Sequence, residues 1–270
     1  MLKYIDLALC ISFAAPAVSL ADELVYPVDV AVDEKGAVFI ADHEAHALFK
    51  VTDTGIEVVA KGEGRPRTPL YGIRHITPLS GGGFIASDPA TMSLYRIDAA
   101  GNVVAVADDG GFVTPWGIAV EASGDILAVD RVTHRLRRVK SSGEVEDVAD
   151  VRAPRAVLFD KDGAIVVLTD KNLMRVAKGS TTPIAASPPF EFPHDAVLHA
   201  DGNYYVSDGY AKAIWKVTAD GGVTSLVRGD PLVSPQGLAI DRQGNLLVAD
   251  PHAKAIFRIS LKGEITQLVP

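Results

Sequence analysis

Pro235-Gln236-Gly237-Leu238-Ala239-Ile240-Asp241 leads into a turn at Gly244. Asn245-Leu246-Leu247-Val248-Ala249-Asp250 follows, and Ala255-Ile256-Phe257-Arg258-Ile259 then runs to a second turn at Gly263. Short runs of β-forming residues bounded by glycine and aspartate read as strands joined by tight turns. The same phrase opens at Pro27, Pro115 and Pro193, and the interval from Pro235 to Asp250 is kept each time, placing Asp42, Asp130 and Asp208. The interval from Asp250 to Gly263 is kept as well, placing Gly55, Gly143 and Gly221. In copy two Leu70 takes the proline slot, with a three-residue insertion around Gly81-Gly82-Gly83 before Asp88, Arg96 and Gly101. Copy four, Pro154 through Gly163 to Arg175, puts Thr169 in the aspartate slot and has a loop two residues shorter.

The aspartates Asp42, Asp88, Asp130, Asp208 and Asp250 recur at near-equal steps, except that the step from Asp130 to Asp208 spans two copies. A period of roughly 40 residues with four short strands is the mark of a propeller blade, whereas β-helix rungs are shorter and helical repeats need longer helical-period runs. The expected fold is therefore all-β: a six-bladed β-propeller of four-stranded antiparallel blades, occupying residues 22–270 as one domain. Asp42 to Lys50 has local helical character, which its sister copies overrule. Longer surface loops are expected over Gly62 to Pro69 and Pro183 to Pro189.

Composition suits a packed globule, with 48% hydrophobic and 22% charged residues. A formal net charge of −8 disfavours nucleic acid and anionic membrane surfaces as partners. Residues 1–21 read as a cleavable leader, with Lys3, an apolar stretch from Leu7 to Val18, and Ser19-Leu20-Ala21 before the cut. The apolar stretch is too short to span a bilayer, so export to a secreted or periplasmic location without a membrane span is expected. The one cysteine, Cys10, leaves with the leader, and the mature chain then has no disulfide and no thiolate chemistry.

Antiparallel alternation puts the start of each first strand and the loop after each second strand on one face, called here the mouth face. The Asp-x-x-Gly turns at Asp33–Gly36, Asp160–Gly163 and Asp241–Gly244 then occupy the other face as structural turns. Positions that vary among the copies are free to specialise. The residue after the proline slot reads Val28, Tyr71, Trp116, Arg155, His194 and Gln236, and the next reads Asp29, Gly72, Gly117, Ala156, Asp195 and Gly237. Asp29, Tyr71, Trp116, Arg155, His194, Asp195 and Gln236 are accordingly the expected lining of a pocket at the channel mouth, joined by Arg131 and Tyr210 from neighbouring loops. The competing expectation is that Asp29 and Asp195 only cap backbone amides. His43 and His46, with Glu44, lack metalloprotease spacing and, like His252, read as solvent-exposed. The recurring aspartate reads as a turn-former, and neither a phosphate-binding loop nor a Gly-x-Ser-x-Gly elbow occurs.

The stretch Pro235 to Asp250 resembles the consensus of NHL-repeat proteins, and the resemblance extends over nearly all of residues 24–270. Related six-bladed propellers include protein-binding scaffolds, gluconolactonase-like hydrolases with a central divalent cation, and the peptidylglycine amidating lyase. Pro193-His194-Asp195, Ser207-Asp208-Gly209-Tyr210 and Arg131 are similar to motifs of that lyase, which implies a zinc-binding histidine, a catalytic tyrosine and a loop arginine. Trp116 and Gln236 stand where the lyase repeats its histidine, and a lactonase-like Glu, Asn and Asp ligand set is also incomplete. The expected function is a binding module for a small polar molecule, a glycan or a protein. The alternative is a metal-assisted hydrolase or lyase in which His194 and Asp195 help hold a divalent cation and Tyr210 or Arg131 acts on substrate.

Overall fold

The computed structural model describes residues 23–107 and 110–269, so the expected leader lies outside the described residues. It contains six four-stranded antiparallel sheets, each made of four consecutive strands. Blade 1 runs Pro27–Val32, Val38–Asp42, Ala47–Thr52 and Gly55–Lys61. Blade 6 ends the ring with Leu238–Ile240, Leu246–Asp250, Ala255–Ile259 and Ile265–Val269. The first strands of successive blades are neighbours in cyclic order, and the sixth returns to the first. The fold is a six-bladed β-propeller, and the stretch after Asp42 that looked helical in isolation is strand from Ala47.

Six apolar clusters form the core, each shared by two adjacent blades. Val28, Phe39, Leu48, Ile73, Phe84 and Tyr95 join blades 1 and 2, while Val30, Ile40, Phe49, Ala239, Leu247 and Ile256 join blades 6 and 1. A single twisted sheet cannot bury both of its faces, so each blade needs two neighbours and the ring is the arrangement that supplies them. No strand is exchanged at the seam between blades 6 and 1 among the described residues. Packing closes it, together with Gly237 N–H donating to Val28 O (3.1 Å) and a bond from Arg242 to Glu34 O.

The repeating aspartate explains why the mouth is built to a pattern. Asp130 is fully buried, and its carboxylate accepts from the amides of Val113 and Thr114 before the first strand and of Val132 and Thr133 after the second. Asp42, Asp208 and Asp250 repeat this clamp. In blade 4 Thr169 Oγ1 accepts only from the later loop, at Lys171 and Asn172. The aspartate thus ties together the two loops that border the mouth, a wider role than turn formation.

Copy two departs from the sequence register. Its first strand is His75–Pro78, with His75 opposite Ser87, just as Asp29 lies opposite Ala41 in blade 1. Ile73 stands as far before Asp88 as Pro27 does before Asp42, and therefore holds the proline slot. The extra residues fall between Gly62 and Ile73 and not at Gly81-Gly82-Gly83, where the turn keeps its normal bonds from Leu79 N to Gly83 O and from Gly82 N to Leu79 O. The rerouted loop leaves Asp88 Oδ2 without a partner, while Oδ1 accepts from Gly72, Ala90 and Thr91.

The two clamps titrate in opposite directions. Burial lifts the Asp88 carboxyl above the ordinary carboxylate range. Burial acts on Asp130 too, but its four amide donors outweigh it and hold that carboxyl below the range. Hydrogen bonds to a charged group contribute about 1.5–3 kcal/mol each. Asp130→Asn is expected to cost about 2–4 kcal/mol in urea unfolding at pH 7, and Asp88→Asn clearly less. Equal losses would contradict the clamp assignment.

Candidate functional site

A β-bulge opens the first strands of blades 1, 3, 4 and 5. Pro27 pairs with Asp42 and Asp29 with Ala41, so Val28 is the extra residue, and Arg155 and His194 occupy the same place in blades 4 and 5. A bulge leaves its extra residue outside the ladder and re-aims the side chain. Trp116, Arg155 and His194 meet over the channel with Arg74 and Gln236, which stand at the equivalent positions of blades 2 and 6 and donate their backbone N–H to Ser87 O and Ala249 O.

Arg74, absent from the expected set, is the hub. Its Nη1 donates to Gln236 Oε1 (2.6 Å) and its Nη2 to His194 Nδ1 (3.2 Å), while its guanidinium lies 4.2 Å from the Trp116 ring centroid. Arg131 sits at the same distance from Trp116, and Arg155 lies 4.2 Å from the Phe192 ring. Phe192 also stacks on Tyr210 (4.6 Å, 18°) and meets His194 edge-on (5.0 Å). Contacts run from Trp116, Arg131, Arg155, His194, Tyr210 and Gln236 through Arg74 and Phe192. Tyr71 is not among them: it stacks on His46 (4.9 Å) in the loop before blade 2, and its carbonyl accepts from His46 Nδ1 (2.6 Å). Carrying the repeat's proline-to-aspartate interval back from Asp88 leads to Ile73, and the residue after it is Arg74.

Guanidinium only donates, so His194 Nδ1 accepts, and the neutral ring carries its proton on Nε2. Burial, with the charges of Arg74, Arg155 and Arg131, holds His194 well below the ordinary imidazole range. Arg74 is pushed down to about 10 by burial, against the opposing pull of Asp29. Arg155 is also pushed down to about 10 by burial, and the charge of Arg131 adds to the shift. All three arginines remain charged at neutral pH. The mouth is therefore rich in donors and positive.

A second layer lies deeper on the axis and reads Asp29, His75, Gly117, Ala156, Asp195 and Gly237. Three large polar side chains fill the centre and three small residues make room. A Cβ on Gly237 would collide with Asp29, and one on Gly117 would lie 2.5 Å from Ala156 Cα. Asp29 Oδ2 accepts from Ile76 N (2.8 Å) of blade 2, and Asp195 Oδ2 from Leu238 N (2.8 Å) of blade 6. Both aspartates do cap backbone amides, tying neighbouring blades. They also face His75, whose Nδ1 is 3.8 Å from Asp29 Oδ2 and whose Nε2 is 3.8 Å from Asp195 Oδ1. Burial opposes charging His75, but the two carboxylates prevail and push it up to about 9. Asp29 is raised to about 7 by burial and the Asp195 charge, with His75 opposing.

Among the described residues Asp29, His75 and Asp195 are the group whose ligand atoms lie close enough, within 4.8 Å of one another, to share a cation. Asp29 Oδ1 and His75 Nδ1 lack hydrogen-bond partners. This donor set suits a divalent ion, which would have to displace the imidazolium proton. The set of three histidines implied by the lyase resemblance does not fit, because Trp116 and Gln236 fill two of its places. His194, ringed by guanidiniums, is a poor cation ligand. His43 and His46 are half-buried ties to blade 2, His43 Nδ1 lying 3.3 Å from Ile73 O, while His252 is exposed as expected.

No protein-family model matches the chain. Peptidyl-glycine alpha-amidating monooxygenase B of Xenopus laevis is 22% identical over 232 residues, covering 70% of this chain and 26% of that protein. The chain thus spans about a quarter of the length of this curated relative. Among solved structures, a gluconolactonase from Xanthomonas campestris superposes with a TM-score of 0.74 at 13% identity, covering 92% of this chain and 88% of that one. A catalytically inactive histidine-to-alanine variant of virginiamycin B lyase from Staphylococcus aureus, with quinupristin, gives 0.72 at 19% identity, covering 93% and 86%. These likenesses establish the shared propeller architecture.

A histidine raised above its unfolded value of 6.5 contributes stability that is complete below that pH and is lost as pH rises through about 9. Asp29, raised from 3.8 to about 7, acts in the same direction at lower pH. Urea unfolding should therefore show wild type more stable than His75→Gln at pH 6, with the gap closing by pH 9.5. A gap that stays constant across this range would mean that the axial imidazolium does not form.

Proposed function

We propose that the chain is an exported binding module that holds a small polar molecule at the channel mouth. The observation that carries this reading is the convergence of Arg74, Trp116, Arg155, His194 and Gln236 from five blades, at equivalent entry positions that vary from blade to blade. A propeller needs nothing so polar there: Val28 occupies the equivalent place in blade 1 and is simply buried. The chemistry favours holding over turnover. His194 presents N–H and not a free lone pair, and its other nitrogen is engaged by Arg74. The sequence has no serine elbow, and its one cysteine falls in the expected leader.

The alternative, a metal-assisted hydrolase or lyase, draws support from the donor set of Asp29, His75 and Asp195. In it those three residues would hold the ion, which would supply Lewis-acid polarisation, while Arg131 and Tyr210 would contact substrate. A stoichiometric divalent ion in the purified protein, lost in Asp29→Asn, would favour this alternative.

A ligand at 100 times its dissociation constant stabilises the folded state by about 2.7 kcal/mol. For a chain of this size that corresponds to a rise of roughly 5–10 °C in Tm. In a thermal-shift screen of polar metabolites and oligosaccharides, compounds that raise the wild-type Tm should have no such effect on Trp116→Ala or Arg74→Gln. Shifts that persist undiminished in both variants would place the binding elsewhere and end the proposal.

A further inference from the structure

The mouth contains more positive charge than its own architecture uses. Arg74 is spent within the protein, on Gln236, His194 and Trp116. Among the described residues, the side chains of Arg131 and Arg155 have neither a hydrogen bond nor an ion pair. Arg155 is only 5% exposed, and its Nη1 is buried without a partner. A buried guanidinium with unmet donors is costly and persists where something outside the chain repays it.

Three further features point the same way. Arg131 and Arg155 are anchored over Trp116 and Phe192, an attachment to ring faces that uses none of the five N–H donors of a guanidinium. The nearby carboxylates are already engaged. Asp208 accepts from Glu191, Phe192 and Ala211 amides, while Asp29 and Asp195 turn to the axial imidazolium. Asp170 is close enough to influence Arg155 but forms no ion pair with it. Finally, Tyr210 is 72% exposed and stacked on Phe192, the ring over which Arg155 lies, and so offers a flat exposed surface next to that cation's anchor.

We infer that the mouth selects an acid: a small molecule whose carboxylate, or a comparable oxyanion, is held between Arg131 and Arg155, with its body against Tyr210. The inference rests on the binding reading above and narrows it to one ligand chemistry. A bidentate oxyanion matches the guanidinium fork and relieves the repulsion between the two arginines. A neutral molecule would leave both charges uncompensated. On a chain with a net charge of −8, this concentrates attraction for anions at one place.

The chain has two tryptophans, so Trp215→Phe leaves Trp116 as the single emitter, in contact with Arg131. In that background galacturonate is titrated against galactose, benzoate against benzamide, and inorganic sulfate alone, all at constant ionic strength. Calorimetry on the wild type serves as a second readout. At least one acid is expected to give a saturable change that its neutral partner does not. Arg131→Gln should weaken that acid tenfold or more. Arg155→Met should melt higher than wild type without ligand, because a buried unpaired charge is gone, yet lose the acid response. A response to sulfate as strong as to the carboxylates would assign the site to oxyanions in general, and a response to carboxylates alone would assign it to organic acids. Equal binding of acid and neutral partner, with loss of both in Trp116→Ala, would overturn the inference and leave the binding reading intact. Acid binding unchanged in Arg131→Gln and Arg155→Met, or no response to any acid, would overturn the inference as well.

Discussion

A buried carboxylate must find donors, and in this protein that requirement organises the mouth of the ring. Each clamp aspartate collects amides from the loop before the first strand and the loop after the second, and so fixes two loops of one blade against each other. In blades 1, 3 and 5 those held loops flank a bulged residue, and blade 4 keeps the bulge although Thr169 ties only its later loop. Valine, arginine, tryptophan, histidine and glutamine stand at equivalent positions of the six blades while the blade itself is kept.

The two layers at the axis use charge differently. The deeper layer is closed: Asp29 and Asp195 bind amides of the next blade, His75 supplies the balancing charge, and Gly117, Ala156 and Gly237 leave the space. Its role is to hold blades together, and it does so through groups that sense protons. The upper layer leaves charge unmatched. Arg74 organises it from within, and Arg131 and Arg155 rest on aromatic rings with donors to spare. Adjacent residues serve the two layers, since Arg74 reaches up and His75 reaches in, and likewise His194 and Asp195.

Much of this was legible from residue order. The period, the glycine turns and the aspartates implied six four-stranded blades, because strand pairing within a blade is local in sequence. The entry positions of blades 3 to 6 are also legible, since the spacing from the proline to the Asp or Thr slot counts residues along one hairpin. Residue order misleads in blade 2 for a definite reason: Leu70 and Gly72 imitate the proline and glycine of the repeat, while the true slot holds Ile73. That imitation points to Tyr71 as the channel residue and hides Arg74 and His75. Phe192 escaped because it carries no motif and matters only through what stacks on it.

The sequence by itself determined the architecture and the face on which chemistry could gather, because hairpins and their turns are encoded by residues close together in the chain. Only the tertiary structure decided which charges are matched. Arg74 meets Gln236 across 162 residues and His194 across 120, and whether an arginine is spent on a neighbour or left free depends on such meetings. No local pattern records them, since electrostatic pairing is set by distance in space and by burial, and both exist only once the ring has closed.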